Sequence, residues 1–491
     1  MVERLARERP RDEALRAVGP DASMRSYTFA EVAAEAAAAA AGLAGLGVGR
    51  GDVVMTLMGA RPEWVFALLG AWRLGAVALP GSEQLRAKDL ALRLRGARPA
   101  LVLAAGRDMA ELQRALAGLE HAPRCHDVDA DGLPRAEAAG NAADTAADDP
   151  ALLIFTSGTA GEPRGVVHTQ GYLRGQRTQA AHWFGARAGE LAWCTAASGW
   201  SKSARNAFVA PWTMGAACLL HDARFDPAQR LAMLAEHEVA VLCQSPTEYR
   251  MIAKRAAMPA EPPPALRRLV SAGEPLNPEI MGVFRDAVGL DIHDGYGQTE
   301  TGQLTGMPED EPVRPGSMGQ PLPGFRLDVV DEEGRPAADG ELTLDPASVP
   351  TFFRGYLGAA EFDGPVWRTG DHVRRDADGF LWFEGRLDDV ILSAGYRIGP
   401  FEVESALVEH PAVAEAAAVA APDAERGAVV KAVVVLRPGQ KAGPALASEL
   451  QEHVKQATAP YKYPRVVEFV AELPKTASGK IRRADLREDA L

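Results

Sequence analysis

Short apolar runs alternate with amphipathic, alanine-rich stretches along this chain, and that alternation restricts its fold more than any other feature. DVVMTLM (52–58) is strand-like, EWVFALLGAWRLG (63–75) helical, AVALP (76–80) strand-like, RAKDLALRLRGA (86–97) helical and ALVLAA (100–105) strand-like again. Strands that alternate with helices run parallel in a layered α/β fold. Ahead of them, residues 28–47 form an Ala-rich helical pattern. Thr28 is its expected N-cap, Glu31 completes a capping box, and Gly47 stands where the helix ends. The polar, aperiodic stretch 121–150 is expected to be a surface linker. A second α/β series spans 151–300. Between 316 and 385 the texture becomes short alternating runs such as RLDVVDEEG and GELTLD, which predict antiparallel hairpins. After Arg386 come about 100 residues patterned as a small α+β domain, with a helix at 400–409, AVAEAAAV, VVKAVVVL, a helix near 445–457 and VVEFV.

The 491 residues suffice for two to four such units. Charges sum to 53 − 66 = −13, which argues against a nucleic-acid or anionic-membrane partner, since both require a basic field. The four cysteines, Cys125, Cys194, Cys218 and Cys243, have neither disulfide-scaffold nor zinc spacing, so a reducing, cytoplasmic setting is expected. The N-terminal MVERLARERPRDEAL lacks the apolar core of a signal peptide. The most apolar stretch, 64–79, is broken by Arg73 and too short to span a bilayer, so no integral membrane segment is expected.

The strongest chemical signal is ALLIFTSGTAGEPRGVVHT (151–169). An apolar strand runs into Thr156, Ser157, Gly158, Thr159, Ala160, Gly161, Glu162, Pro163, Arg164 and Gly165. Glycines let backbone N–H groups approach an anion, hydroxyls add donors, and Arg164 adds a cation able to grip phosphate oxygens. It is not a Walker A loop, because the G-x-x-x-x-G-K-[ST] spacing is missing. Four further motifs follow: Asp294-Gly295-Tyr296-Gly297-Gln298-Thr299-Glu300; Trp367-Arg368-Thr369-Gly370-Asp371; Gly385-Arg386-Leu387-Asp388-Asp389 running on to Gly395-Tyr396-Arg397; and Pro474-Lys475-Thr476-Ala477-Ser478-Gly479-Lys480.

Five motifs in this order, across nearly the whole chain, resemble the adenylate-forming superfamily. GWSKSARNAFVAPWTMGAA (199–217), SAGEPLNP (271–278), RPGSMGQPLPG (314–324), ERGAVVKAVVVL (425–436) and APYKYPR (459–465) are similar to the medium-chain acyl-CoA synthetases, which lie close to the acetyl-CoA synthetases. The resemblance implies a large N-terminal AMP-binding domain, 1–387, of α/β subdomains with a small β-barrel-like part. It also implies a small mobile C-terminal domain, 388–491, hinged at Asp388. The implied reaction is ATP-dependent activation of a small-molecule carboxylic acid, medium-chain or aromatic, as acyl-AMP, with transfer to the thiol of CoA.

The implied roles follow residue by residue. Lys480, Thr299 and Glu300 are catalytic, and Glu300 is also the Mg2+ ligand, because a hard cation favours carboxylate oxygen. ATP or AMP contacts fall to Thr156, Ser157, Gly158, Thr159, Gly161, Arg164, Gly273, Glu274, Pro275, Asp294, Gly295, Tyr296, Gly297, Gln298, Asp371 and Arg386. Asp371 accepts from the ribose hydroxyls and Tyr296 packs on adenine. CoA contacts fall to Ala394, Gly395, Tyr396, Arg397, Arg426 and Lys455. Trp200, Ala272 and Gly297 line the acyl pocket. Gly297 replaces a tryptophan of acetate-specific relatives and is expected to leave the pocket deep. Lys202 is expected to point away from an apolar pocket unless paired. His168 and His293 are read as structural, since the substrate carboxylate is already ionised at neutral pH. Arg164 stands where the family usually has lysine, and Ala160 where it usually has a hydroxyl. A rival reading is a stand-alone enzyme that loads a carrier protein, with no fused carrier domain expected. A third is an inactive AMP-binding regulator, disfavoured by the retention of Lys480, Asp371, Glu300 and Arg386. The oligomeric expectation leaves room for a homodimer.

Overall fold

The computed structural model describes residues 1–137, 142–156, 163–309, 311–393, 396–423, 426–475 and 481–488. The capped helix forms as its spacing predicts. Thr28 Oγ1 accepts from the Glu31 amide at 3.3 Å, the Glu31 carboxylate accepts from the Thr28 amide at 2.7 Å, and Gly47 turns the chain at φ +89°.

The first α/β series builds a seven-stranded sheet. Val53–Leu57 sits between Val77–Gly81 and Leu101–Ala104, all parallel. Pro150–Phe155 adds to it in parallel. Gly165–Thr169 then pairs antiparallel with Pro150–Phe155, and Gly355–Tyr356 antiparallel with Gly165–Thr169. The opposite edge corrects the linker expectation, because Arg124–Asp127 pairs in parallel with Leu101–Ala104. An edge strand has one partner and half-exposed side chains, so RCHD needs none of the apolar alternation by which strands are recognised.

The second sheet runs Ile292–Gly295, Arg268–Ala272, Val239–Gln244, Leu191–Cys194, Ala217–His221, Glu13–Val18 and Met24–Thr28, parallel except for the last pair. The strands at 13–28 are not foreshadowed by the alternation. The largest core joins residues of both sheets to the helices Phe29–Gly45 and Pro62–Arg73. Its aromatic heart is fully buried. Trp64 lies edge-on to Phe208 at 5.6 Å, and Trp212 packs on Phe208 at 5.0 Å and Phe29 at 6.2 Å. The short side chains let the two helices meet closely: a Cβ on Gly70 would stand 3.0 Å from that of Ala39.

Leu327–Val330, Asp339–Leu344, Trp367–Arg375 and Leu381–Arg386 form the expected antiparallel part, a four-stranded sheet over its own small core. The C-terminal unit packs the helices Pro400–Glu409 and Pro444–Ala457 on the strands Val413–Asp423, Gly427–Leu436 and Val466–Val470, around Val403, Leu407, Val430, Leu450 and Val454. It touches the preceding chain where Lys254 Nζ donates to Ala414 O at 3.3 Å and Asn277 Nδ2 to Ser405 Oγ at 3.3 Å. Among the described residues no helix is long and apolar enough to cross a membrane.

Two glycines of one helix test this packing. A Cβ on Gly42 would stand 2.3 Å from the Pro134 backbone, whereas one on Gly45 would meet nothing within 4 Å. Gly→Ala in a helix ordinarily stabilises by up to about 1 kcal/mol. Gly45→Ala is expected to follow that rule. Gly42→Ala is expected to destabilise by about 1–3 kcal/mol through overpacking. Urea unfolding of the two variants checks the opposite signs.

Candidate functional site

The parallel strands of the second sheet end together, and ligands of open α/β sheets bind outside such carboxyl ends. Ala272 and Gly295 are register partners at the ends of Arg268–Ala272 and Ile292–Gly295. The chain after Gly295 folds back as a tight hairpin in which Gly297 pairs with Gln303 and Gln298 with Gly302. Thr299, Glu300 and Thr301 form its tip.

This hairpin is tied to the antiparallel sheet through Asp371. The carboxylate, 4% exposed, accepts from the Tyr296 hydroxyl, from Gln298 Nε2 at 2.8 Å, and from Arg386 Nη1 at 3.1 Å. Asp371 and Arg386 face each other in register across neighbouring strands. Arg386 also donates to Thr369 O at 3.0 Å and to Asp388 Oδ1 at 3.4 Å, and Gln298 accepts from Trp367 Nε1 at 3.1 Å. Burial pushes the Asp371 carboxyl above its ordinary range, opposed by Arg386, Tyr296 and Gln298. Five expected residues, Tyr296, Gln298, Asp371, Arg386 and Asp388, thus share one network.

A second chain of contacts starts at the expected phosphate loop. Thr156 N donates to Arg164 O at 3.0 Å, which closes the loop's base. Ser157, Gly158, Thr159 and Gly161 lie outside the described residues. The Arg164 guanidinium lies 3.6 Å from the centre of the Tyr356 ring, and the Tyr356 hydroxyl donates to Glu300 Oε1 at 2.8 Å. Burial, reinforced by Glu300, raises the Tyr356 hydroxyl above the usual phenol range. The expectations omit Tyr356, because only strand pairing brings FFRGYLG beside the loop. The other oxygen of Glu300 takes no hydrogen bond among the described residues, as a carboxylate available to a hard cation requires.

A third cluster lines the strand ends. Lys202 is 8% exposed and donates to Ala272 O at 2.5 Å, and a Cβ on Gly273 would stand 3.1 Å from its ammonium. Lys202 therefore points into this wall, paired with the Ala272 carbonyl. Beside it Asp294 is buried, one carboxyl oxygen has no partner among the described residues, and burial drives its carboxyl well up against the Gly295 amide and Lys202. An unpartnered buried acceptor suits an N–H donor such as the amine of adenine. Glu274 turns away, accepting from Thr247 Oγ1 at 2.7 Å and Arg250 Nη2 at 3.4 Å, so next to Gly273 and Pro275 it serves the loop's anchorage. Trp200 is half-buried against the main core.

Gly297 is corrected. A Cβ there would stand 1.9 Å from Gly302 O. The absent side chain faces backbone rather than an open pocket, so this glycine serves the closeness of the hairpin. In the C-terminal unit, Tyr396 stacks on Tyr461 at 4.3 Å, both exposed, and Lys455 lies 4.5 Å from the centre of the Tyr463 ring. Arg426 is exposed, its amide donating to Asp423. Ala394, Gly395 and Lys480 fall outside the described residues, as does the side chain of Arg397. His168 and His293 are held neutral by burial, at about 3 and about 4 respectively, in keeping with their structural reading.

The sequence matches the AMP-binding enzyme family over residues 2–357 and the AMP-binding enzyme C-terminal domain over residues 402–480. It is 41% identical over 481 residues to an uncharacterized acyl–CoA ligase, YtcI, of Bacillus subtilis, covering 94% of this chain and 90% of that one. It is 40% identical over 463 residues to the mouse mitochondrial acyl-coenzyme A synthetase ACSM3, covering 89% and 80%. A benzoate CoA ligase from Burkholderia xenovorans superposes with TM-score 0.88 at 29% identity over 99% of this chain and 98% of its own. The anthranilate CoA ligase AuaEII in complex with anthranoyl-AMP does so with TM-score 0.88 at 30% identity, over 100% and 96%.

Gly297→Ala is expected to destabilise by about 1–3 kcal/mol, because backbone stands in the way, and urea unfolding measures it. The buried histidines set an acid sensitivity. Their folded values lie below the unfolded value of about 6.5, so the stability they contribute is complete above that pH and is lost as pH falls towards 3–4. Each adds a slope of about 1.4 kcal/mol per pH unit inside that window. His168→Gln should flatten the slope of unfolding free energy between pH 4 and 6 by about one proton. An unchanged slope would place the lost protons elsewhere.

Proposed function

Because the chain belongs to the AMP-binding enzyme family, we propose that it is an ATP-dependent, AMP-forming acyl-CoA synthetase. A carboxylate oxygen attacks the α-phosphorus of ATP, the α–β anhydride bond breaks and pyrophosphate leaves. The CoA sulfur then attacks the acyl carbon, and AMP leaves. The observation that carries this reading is the Asp371 network. A buried carboxylate with Arg386 in register beside it, a tyrosine and a glutamine on it, and the hairpin tip of Thr299 and Glu300 next in sequence gives one place to hold a ribose and its phosphate.

In this reading Asp371 accepts from the ribose hydroxyls, and Arg386 sits at the ribose–phosphate end. Tyr296 and Gly273 flank the adenine, and the free oxygen of Asp294 takes its amine. Thr299 and Arg164 donate to phosphate oxygens, with Ser157, Gly158, Thr159 and Gly161 supplying loop donors. Mg2+ on Glu300 would offset the charge of the phosphates. Lys480 brings an ammonium to the reacting carboxylate and phosphate during adenylation. The unit after Asp388 then turns to bring Ala394, Gly395, Tyr396, Arg397, Arg426 and Lys455 to CoA. Two domains, 1–387 and 388–491, follow from that hinge. An aromatic or medium-chain acid is favoured by the likeness to a benzoate ligase, an anthranilate ligase and an ACSM synthetase.

Pyrophosphate release with ATP, Mg2+ and CoA is the test, run from acetate to dodecanoate with benzoate and phenylacetate. Acid-dependent release supports a synthetase, and silence across the panel, extended to acids that carry a second polar group, overturns it. Replacing CoA with a holo carrier protein separates the carrier-loading alternative. Lys480→Ala should lower acyl-AMP formation by about 100-fold or more while transfer from supplied acyl-AMP to CoA largely survives. Equal loss in both half-reactions would remove Lys480 from the adenylation step. Asp371→Asn should cut kcat/KM for ATP by about 10–100-fold, since it weakens a charge-assisted contact.

A further inference from the structure

Arg205 opens the buried π-helical turn Arg205–Val209 and is 4% exposed. Among the described residues its Nε and Nη1 have no hydrogen-bond partner and it forms no ion pair, its one side-chain hydrogen bond being with the Tyr172 hydroxyl. Its charge is felt by His168, Tyr172 and Cys243. The first is held neutral, burial raises the Tyr172 hydroxyl, and the hydrogen bond with Cys194, with burial behind it, raises the Cys243 thiol, so none is a counter-ion at neutral pH. A guanidinium does not give up its proton to relieve burial, as a lysine or histidine does. A buried guanidinium with no counter-ion costs a fold stability, and among the described residues no carboxylate offsets it.

The position of Arg205 indicates what supplies the counterpart. A Cβ on Gly302 would stand 3.4 Å from Nη1, so the guanidinium lies directly behind the hairpin that carries Thr299 and Glu300. Three residues earlier, Lys202 reaches the Ala272 carbonyl on the opposite wall. The next residue, Asn206, points its amide at Cys243 Sγ, 4.0 Å away, and Cys243 packs in the same core as Ala272. Around the hairpin other buried polar atoms have no partner among the described residues: Gln303 Oε1 and Trp183 Nε1. Apolar acyl pockets do not need such groups, whereas a pocket that receives a polar end does.

We propose that Arg205 binds a second carboxylate at the far end of the acid substrate, so that the enzyme activates dicarboxylic acids in preference to monocarboxylic acids of the same length. This deepens the synthetase reading and rests on it. One carboxylate meets ATP at the hairpin tip, and the other pairs with the guanidinium behind it. The fork of Arg205 offers two parallel N–H donors, Nε and an Nη, that match a carboxylate edge. A site built for a charged hydrogen-bonding group rejects the analogue lacking it more strongly than an apolar pocket discriminates by size.

The experiment compares kcat/KM for pyrophosphate release, with ATP, Mg2+ and CoA, between adipate and hexanoate and between isophthalate and benzoate. The expected result is a preference for the diacid of about 100-fold or more in at least one pair. Arg205→Met should lower the diacid-to-monoacid ratio by at least that factor, and Arg205→Lys should retain part of it. Release with monoacids preferred in both pairs overturns the proposal and leaves the synthetase standing. A ratio unchanged in Arg205→Met overturns it equally, since a merely structural arginine would lower both acids alike. No release with any acid overturns the synthetase reading and this proposal with it. Should the variants fail to fold, thermal shifts of the unmodified protein decide. Adipate or isophthalate raising Tm where hexanoate and benzoate do not supports the site, and equal shifts refute it.

Discussion

A single buried carboxylate holds the candidate site together. Asp371 receives the Tyr296 hydroxyl, the Gln298 amide and the Arg386 guanidinium, and these come from the hairpin after the second sheet and from the last strand before the C-terminal unit. Burial alone would push such a carboxyl towards its neutral form. The three donors offset that cost, and two of them, Tyr296 and Gln298, tie the hairpin to the antiparallel sheet that carries Asp371 and Arg386. Arg386 extends the tie to Asp388, where the chain enters its last unit. A ligand that bound Asp371 would therefore act at the junction of three structural layers.

Close backbone approach is the second theme. Gly297 against Gly302, Gly42 against the Pro134 backbone and Gly70 against Ala39 each leave no room for a further carbon. In all three the glycine answers a neighbouring chain. A glycine read from sequence as an empty pocket floor is, at 297, a packing requirement of the hairpin that presents Thr299 and Glu300. Lys202 and Arg205 lie buried three residues apart in the chain, the first turned to the Ala272 carbonyl and the second to the back of that hairpin.

Much of the architecture was legible because it depends on local periodicity. The helices Phe29–Gly45, Pro62–Arg73 and Ala87–Ala97, the strands between them and the antiparallel run after 316 all appear where alternation, caps and glycines put them. The edge strand Arg124–Asp127 was not legible, because a strand paired on one side and half-exposed carries no apolar signature. The strands at 13–28 were missed for another reason: Glu13–Val18 finds its parallel partner in Ala217–His221, some two hundred residues on.

The site divides in the same way. Sequence alone determined the family, the order of motifs and the residue types brought to an anionic ligand, because those chemistries need particular side chains at fixed local spacing. Tertiary structure decided what each side chain faces. It placed Tyr356 between Arg164 and Glu300, turned Glu274 to Arg250 and Lys202 to Ala272, and left Arg205 buried without a counter-ion among the described residues. Spacing along the chain is a one-dimensional property that local sequence records. Pairing across the fold depends on which strands meet and which oxygens remain unclaimed, and that is settled only when the layers close.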